Sequence, residues 1–197
     1  MKIVKKAVPP FRKFYRARIR RMIKDLEKSD LHGPEPDLYL GDARLLKEVQ
    51  DSSIDLVITS PPYLNKIEYT RVYALEYALF LPNAEPNQMR SYVGTNVSQD
   101  VSQYPEFPPV AGAYFKDIQA VLGQMRRVLR DGGKATILLA GGVFPNMIVN
   151  TDIVLASIAS ELGFKINAIV ALNKRVATRD RVEKIGWARE SAVIIQK

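Results

Sequence analysis

Along residues 11–28 the apolar positions Phe11, Phe14, Tyr15, Ile19, Met22, Ile23 and Leu26 recur at steps of three and four, with basic residues filling the intervals. That spacing predicts an amphipathic helix with a basic outer face. The next stretch, Ser29 to Pro36, contains Gly33, Pro34 and Pro36 and reads as a linker. Beyond it, short apolar runs alternate with helical patterns. Strands are expected at 37–41, 54–59, 134–140, 165–172 and 191–196, and helices at 43–50, 69–81, 114–130 and 150–162. The segment 82–109 is polar and too long for a simple connection, which predicts a mobile loop. Strands alternating with helices imply an α/β fold with a mostly parallel sheet, closed by an antiparallel hairpin of the last two strands.

The run Ile54-Asp55-Leu56-Val57-Ile58 is apolar almost throughout and β-branched, as expected of a central strand covered on both faces. It leads directly into Thr59-Ser60-Pro61-Pro62-Tyr63. Open α/β sheets bind ligands beyond the carboxyl ends of their strands, so these residues are placed where chemistry is expected. Two prolines fix φ and remove two N–H groups, leaving a stiff corner rich in acceptors. Ser60 adds a hydroxyl, and Tyr63 adds a face on which a flat heterocycle can stack. Such a set suits an exocyclic amino group: acceptors that take its N–H bonds oppose delocalisation of the nitrogen lone pair and raise its nucleophilicity. The competing structural interpretation is a turn with a packed tyrosine.

Composition narrows the chemistry. The chain has 197 residues and no cysteine, which excludes disulfides, thiolate metal sites and the covalent cysteine route to cytosine-C5 methylation. His32 is the only histidine and lies in the linker, so no histidine metal centre is expected. No apolar stretch reaches membrane-spanning length and no signal-peptide pattern is seen, which predicts a cytoplasmic protein. The net charge is +8, and residues 1–30 hold eleven lysines and arginines against three acids, so the entire excess sits there. Arg12, Lys13, Arg16 and Arg20 on that helix suit a phosphate backbone, a solvated face being the alternative. Asn65 and Arg71, just after the proline corner, are candidates for the target pocket or for phosphate. Trp187 reads as core or rim packing.

With these residues in place the chain resembles the amino-group DNA methyltransferases, whose signature is Asp, Asn or Ser followed by Pro-Pro-Tyr. The form with Ser60 after Thr59 is most similar to the cytosine-N4 branch, with adenine N6 as the other target. Gly41-Asp42-Ala43-Arg44, Leu129-Arg130-Asp131-Gly132-Gly133 and Arg189-Glu190-Ser191-Ala192 resemble further landmarks of that family in order. The resemblance covers residues 37–197 and implies a Rossmann-like class I fold with S-adenosyl-L-methionine as cofactor. It makes Ser60, Pro61, Pro62 and Tyr63 the catalytic set and gives Asp42 and Ser60 cofactor contacts. An N-cap is the plain alternative for Asp42. Restriction-modification is the implied setting, with 1–36 as a basic helix and linker and 37–197 as the catalytic part.

One family feature is missing. The glycines lie at 33, 41, 94, 112, 123, 132, 133, 141, 142, 163 and 186, so no two are separated by a single residue and no Gly-x-Gly turn exists. The resemblance therefore implies an incomplete sheet, its first two strands absent, and a companion polypeptide that carries the glycine turn. A fragment of a longer enzyme and a degenerate product are the alternatives, and the basic helix favours a coherent start. Rival functions are an RNA base methyltransferase and a non-catalytic nucleic-acid-binding or scaffold subunit.

Overall fold

The computed structural model describes residues 10–29, 33–65, 69–83, 102–179 and 182–197, and it divides into two compact units, 1–39 and 40–197. In the first unit, helix α1 (Phe11–Lys28) takes up the predicted amphipathic segment. Phe11 and Tyr15 stack at 5.6 Å, and its apolar residues are exposed. His32 and most of the expected mobile loop, residues 84–101, lie outside the described residues.

The second unit is built on a four-stranded sheet of order β1-β2-β6-β5, where β1 is Ile54–Thr59, β2 Leu129–Ala140, β5 Lys165–Arg179 and β6 Glu183–Gln196. β1 runs parallel to β2, while β2–β6 and β6–β5 are antiparallel. The hairpin expected of the last two strands forms, but the sheet is mixed where a mostly parallel one was expected: among the described strands only β1–β2 is parallel, since β6 runs antiparallel to β2 and no strand forms at 37–41. A two-stranded hairpin, β3 (Gly142–Phe144) with β4 (Met147–Val149), follows β2.

Two helices cover one face. α4 (Pro109–Val128) and α5 (Thr151–Glu161) touch each other and both pack on β2. β2 turns Ala135, Ile137 and Leu139 toward them, and β6 adds Val193 and Ile195, so the core closes with Phe115, Leu122 and Leu155. α4 starts at Pro109, five residues before the predicted start, since proline at the first helical turn gives up an N–H that has no partner there anyway.

Three expectations are corrected. Residues 37–41 form no strand: Leu38, Tyr39 and Leu40 are exposed, and no described strand pairs with them. Residues 43–50 form turns instead of a helix, with Leu46 at φ 40°, a left-handed conformation that a helix cannot continue through. The 69–81 helix splits at Tyr73 into α2 (Tyr69–Val72) and α3 (Ala74–Phe80).

β1 also differs from the central strand the sequence suggested. Among the described residues it pairs on one edge only, and on the face away from α4 and α5 Leu56 is 53% and Ile58 70% exposed. Apolar residues at such levels on a strand edge are a site for further pairing. No helix of the described residues is long and apolar enough to cross a membrane.

The elements are tied together by a buried ion pair. Asp152, at the start of α5 and 3% exposed, accepts from Arg189 Nε at 2.5 Å, Arg189 Nη2 at 3.1 Å and Ser191 Oγ at 2.7 Å, which clamps α5 to β6. Burial pushes its carboxyl up, but the Arg189 and Ser191 hydrogen bonds outweigh that and hold it below the ordinary aspartate value. We expect Asp152→Ala to cost roughly 3 kcal/mol in urea unfolding, since it leaves part of a guanidinium buried without its partner. Because the folded value is depressed, the contribution is present above the ordinary aspartate range and is lost as pH falls through the lowered one, so the gap between wild type and variant narrows in acid.

Candidate active site

Residues 60–63 leave β1 at its carboxyl end, level with Leu138 of β2, and the corner faces a cavity of about 1230 Å³. Thr59, Ser60, Pro61 and Pro62 form one wall, Gly41 to Arg44 a second, and Tyr114, Ile118 and Leu122 of α4 a third. Ser60 is exposed, whereas Pro61, Pro62 and Tyr63 are half-buried. Leu64, fully buried, anchors the loop against Gly142. A Cβ on Gly142 would lie 2.8 Å from Leu64 Cδ2, so a glycine is required at that seat.

The Tyr63 hydroxyl donates to Glu190 Oε1 at 2.6 Å, and Ser60 Oγ lies 3.5 Å from the same hydroxyl, at the outer limit of a hydrogen bond. The Glu190 carboxylate holds the phenol in its protonated form and raises its pKa. Tyr63 is therefore fixed by its tip, leaving its ring oriented by a residue 127 positions away. Asn65, at φ 49°, donates through its amide nitrogen to the carbonyl of Val143, which fastens the loop to β3.

Asp42 and Arg44 form the charged part of the cavity wall. The Arg44 side chain and its backbone N–H both donate to Asp42 and lower its carboxyl to about 2. Asp42 thus caps a turn and not a helix, its carbonyl also accepting from Leu45 and Leu46. Arg44 reaches on to Asp117 of α4 at 2.8 Å, and its two carboxylates raise its own pKa. Beside them the Tyr114 hydroxyl is buried with no hydrogen-bond partner among the described residues, and burial raises its pKa. A cavity lined by an apolar floor, an exposed carboxylate and an unpartnered phenol suits a ligand that is partly flat and apolar and partly polar. No group of three or more metal-ligating side chains occurs among the described residues.

The structure brings Asp42, Ser60, Pro61 and Pro62 to one cavity with Tyr63 beside them. Arg71 is on α2, away from those walls, and Arg12, Lys13, Arg16 and Arg20 belong to the first unit, where 12, 16 and 20 share one helix face. Trp187 is 55% exposed and outside the core. Sequence reasoning found no role for Glu190, Arg44, Asp117 or Tyr114: Glu190 pairs with Tyr63 and Asp117 with Arg44 across long stretches of chain, and nothing local shows that the Tyr114 hydroxyl is buried beside the cavity.

No protein-family model matches the chain. It is 24% identical over 166 residues to the Type II methyltransferase M.AvaI of Nostoc sp. (strain PCC 7120 / SAG 25.82 / UTEX 2576), a match covering 66% of this chain and 34% of that protein. It is 22% identical over 207 residues to the Type II methyltransferase M.BsoBI of Geobacillus stearothermophilus, covering 80% and 41%. The chain thus spans about a third to two fifths of the length of these curated relatives. Among solved structures, a putative DNA modification methylase of Thermus thermophilus complexed with S-adenosyl-L-methionine superposes with a TM-score of 0.46 at 18% identity, over 80% of this chain and 54% of that one. A SAM-dependent methyltransferase of Methanosarcina mazei gives 0.41 at 12% identity, over 90% and 76%.

The Tyr63–Glu190 bond is directly measurable. Glu190→Ala should bring the Tyr63 pKa down toward its ordinary value, read by NMR titration of the labelled tyrosine ring carbon; an unmoved titration would show that Glu190 does not hold the phenol.

Proposed function

We propose that this chain supplies the base-binding side of an S-adenosylmethionine-dependent DNA methyltransferase that acts on an exocyclic amino group, with cytosine N4 the favoured target over adenine N6. The observation that carries this reading is the Ser60-Pro61-Pro62-Tyr63 corner opening onto the large cavity, in a chain similar to Type II methyltransferases.

The target base is swung out of the duplex, at a cost of a few kcal/mol, and its ring lies on Tyr63. Glu190 holds the tyrosine from behind, so the stacking plane exists before the base arrives. Ser60 Oγ and the carbonyl of Pro61 accept the two N–H bonds of the amine, which turns the nitrogen lone pair out of conjugation and toward the cavity. The prolines keep the corner from relaxing when it is loaded. Asp42, on the facing wall, accepts from the adenine amine of the cofactor, and Tyr114 offers a hydroxyl that needs a partner. The cofactor, when bound, supplies an electrophilic methyl group on a sulfonium. What this chain contributes is alignment and exclusion of water, which an in-line displacement needs more than an acid and a base.

The cavity has one side to offer. Leu56 and Ile58 are exposed, the outer edge of β1 is unpaired among the described residues, and no Gly-x-Gly turn is present in the sequence. These features support a further polypeptide segment, carried on a companion chain, that pairs with β1 and supplies the glycine turn.

Radiolabelled methyl transfer to duplex DNA, with the companion segment added, tests the reading. Ser60→Ala and Tyr63→Ala should each lower kcat by about 100-fold or more, comparable to losing one preorganised group in other active sites, while leaving the unfolding free energy within about 1 kcal/mol of wild type. Full turnover in either variant removes the role given to that residue, and transfer to structured RNA in preference to DNA replaces the substrate.

A further inference from the structure

We infer that the projecting half of the β5–β6 hairpin is a docking surface for the phosphate backbone of duplex DNA, centred on Lys174, Lys184 and Trp187. The inference rests on the DNA substrate proposed above and adds where the duplex is held.

The sheet register sets the geometry. β2 stops pairing with β6 at Ala140–Glu190, but β5 and β6 continue together from Asn173–Glu190 to Arg179–Glu183. At about 3.4 Å per residue the hairpin overshoots the sheet by about 20 Å. β6 is antiparallel to β2 and β2 is parallel to β1, so the overshoot occurs at the carboxyl ends of β1 and β2, where the proline corner lies. The Tyr63–Glu190 bond marks the base of the projection. A base seated against Tyr63 therefore has its flanking backbone on the side where the hairpin stands, and phosphates spaced about 3.4 Å along each strand give an arm of that length several to meet.

The hairpin is braced for such a role. Gly186, at φ 150°, has no Cβ, which would lie 2.6 Å from Ile148 Cδ1, so β4 packs closely against the arm. Lys174 sits opposite Arg189 and Val176 opposite Trp187, which puts these side chains on one face. Lys184 Nζ lies 4.6 Å from the centre of the Trp187 ring, so the indole acts as a rigid shelf that holds an ammonium group in place. Asn150, Lys174, Trp187 and Arg189 bound a groove of about 340 Å³.

Charge favours nucleic acid over an apolar protein partner. Residues 173–190 contain six lysines and arginines against three acids. Arg189 is committed to Asp152, and Arg179 to Glu183 and Asn146. Of the acids, Glu190 is turned to Tyr63 and Glu183 to Arg179. The ammonium groups of Lys174 and Lys184 thus face solvent beside a half-exposed tryptophan, a combination that fits phosphate.

Trp187 is the only tryptophan in the chain, which makes it an intrinsic probe. The full chain would be titrated with a short duplex at several salt concentrations, following anisotropy of labelled DNA and, with unlabelled DNA, Trp187 emission. Emission should change and saturate in step with anisotropy. Lys174→Glu with Lys184→Glu should weaken binding at least about tenfold and reduce the log–log salt slope by about two. Lys134→Glu with Lys165→Glu, the same charge change at the opposite end of the sheet, should leave most of the affinity. The inference is overturned by saturation with unmoved Trp187 emission, by equal losses in the two double variants, by tighter binding of single-stranded RNA, or by no binding at all. Methyl transfer with the companion segment added separates the two readings: its absence from the wild type with hairpin docking intact refutes the catalytic assignment alone, and an unchanged KM for DNA in the Lys174/Lys184 variant refutes the docking surface alone.

Discussion

The antiparallel register of β6 on β2 is the constraint on which the rest of this structure depends. Because Glu190 falls opposite Ala140, a carboxylate arrives at the level where β1 releases its proline corner, and Tyr63 finds a partner within 2.6 Å. A slip of one residue would turn Glu190 to the other face and put its neighbours, Arg189 or Ser191, toward the tyrosine. The same slip would break the clamp on Asp152, since Arg189 and Ser191 reach it only from the α5 side. Packing and chemistry are thus specified by one ladder: Val193 and Ile195 bury against the helices only in the register that also positions the site.

The cavity wall beyond the corner shows a different device. Arg44 lies between Asp42 and Asp117, so one guanidinium is held by a carboxylate from the 41–44 turn and another from α4. At such exposure the pairs add little to stability. Their consequence is geometric: they fix an irregular segment with no strand or helix of its own to a rigid element, and the Arg44 hydrogen bonds lower the Asp42 carboxyl to about 2. A negatively charged acceptor is maintained at the mouth of the cavity, opposite a face of neutral carbonyl and hydroxyl acceptors.

What the sequence made legible follows from locality. The apolar run at 54–58 and the helical pattern over 114–130 each carry their signal within a few residues: the first forms β1, and the second forms α4 with its bounds moved to 109–128. The failures share a cause as well. Residues 37–41 and 43–50 have strand-like and helix-like patterns, but a strand needs a neighbour, and Leu46 adopts a left-handed backbone that its side chain does not announce. The hairpin grew from the predicted 165–172 and 191–196 to 165–179 and 183–196 because its outer half is polar, so alternation of apolar residues gave no sign of it. Glu190 was visible as a residue and invisible as a partner: nothing local relates it to Tyr63.

The unequal covering of the two sheet faces bears on what the site can do by itself. α4 and α5 bury the face that includes Val57 and Thr59, while the face with Leu56 and Ile58 is open beside an unpaired strand edge. Under the proposed function the corner has to exclude water and align two reactants, which one covered side of such a strand does not complete. If a companion segment pairs with β1, the hydrophobic burial that joins the two pieces also closes the cavity, and binding of cofactor becomes linked to assembly: each favours the other by the same free energy. On the function proposed above, division would then act as a control, the chain with the proline corner staying inactive until its edge is filled.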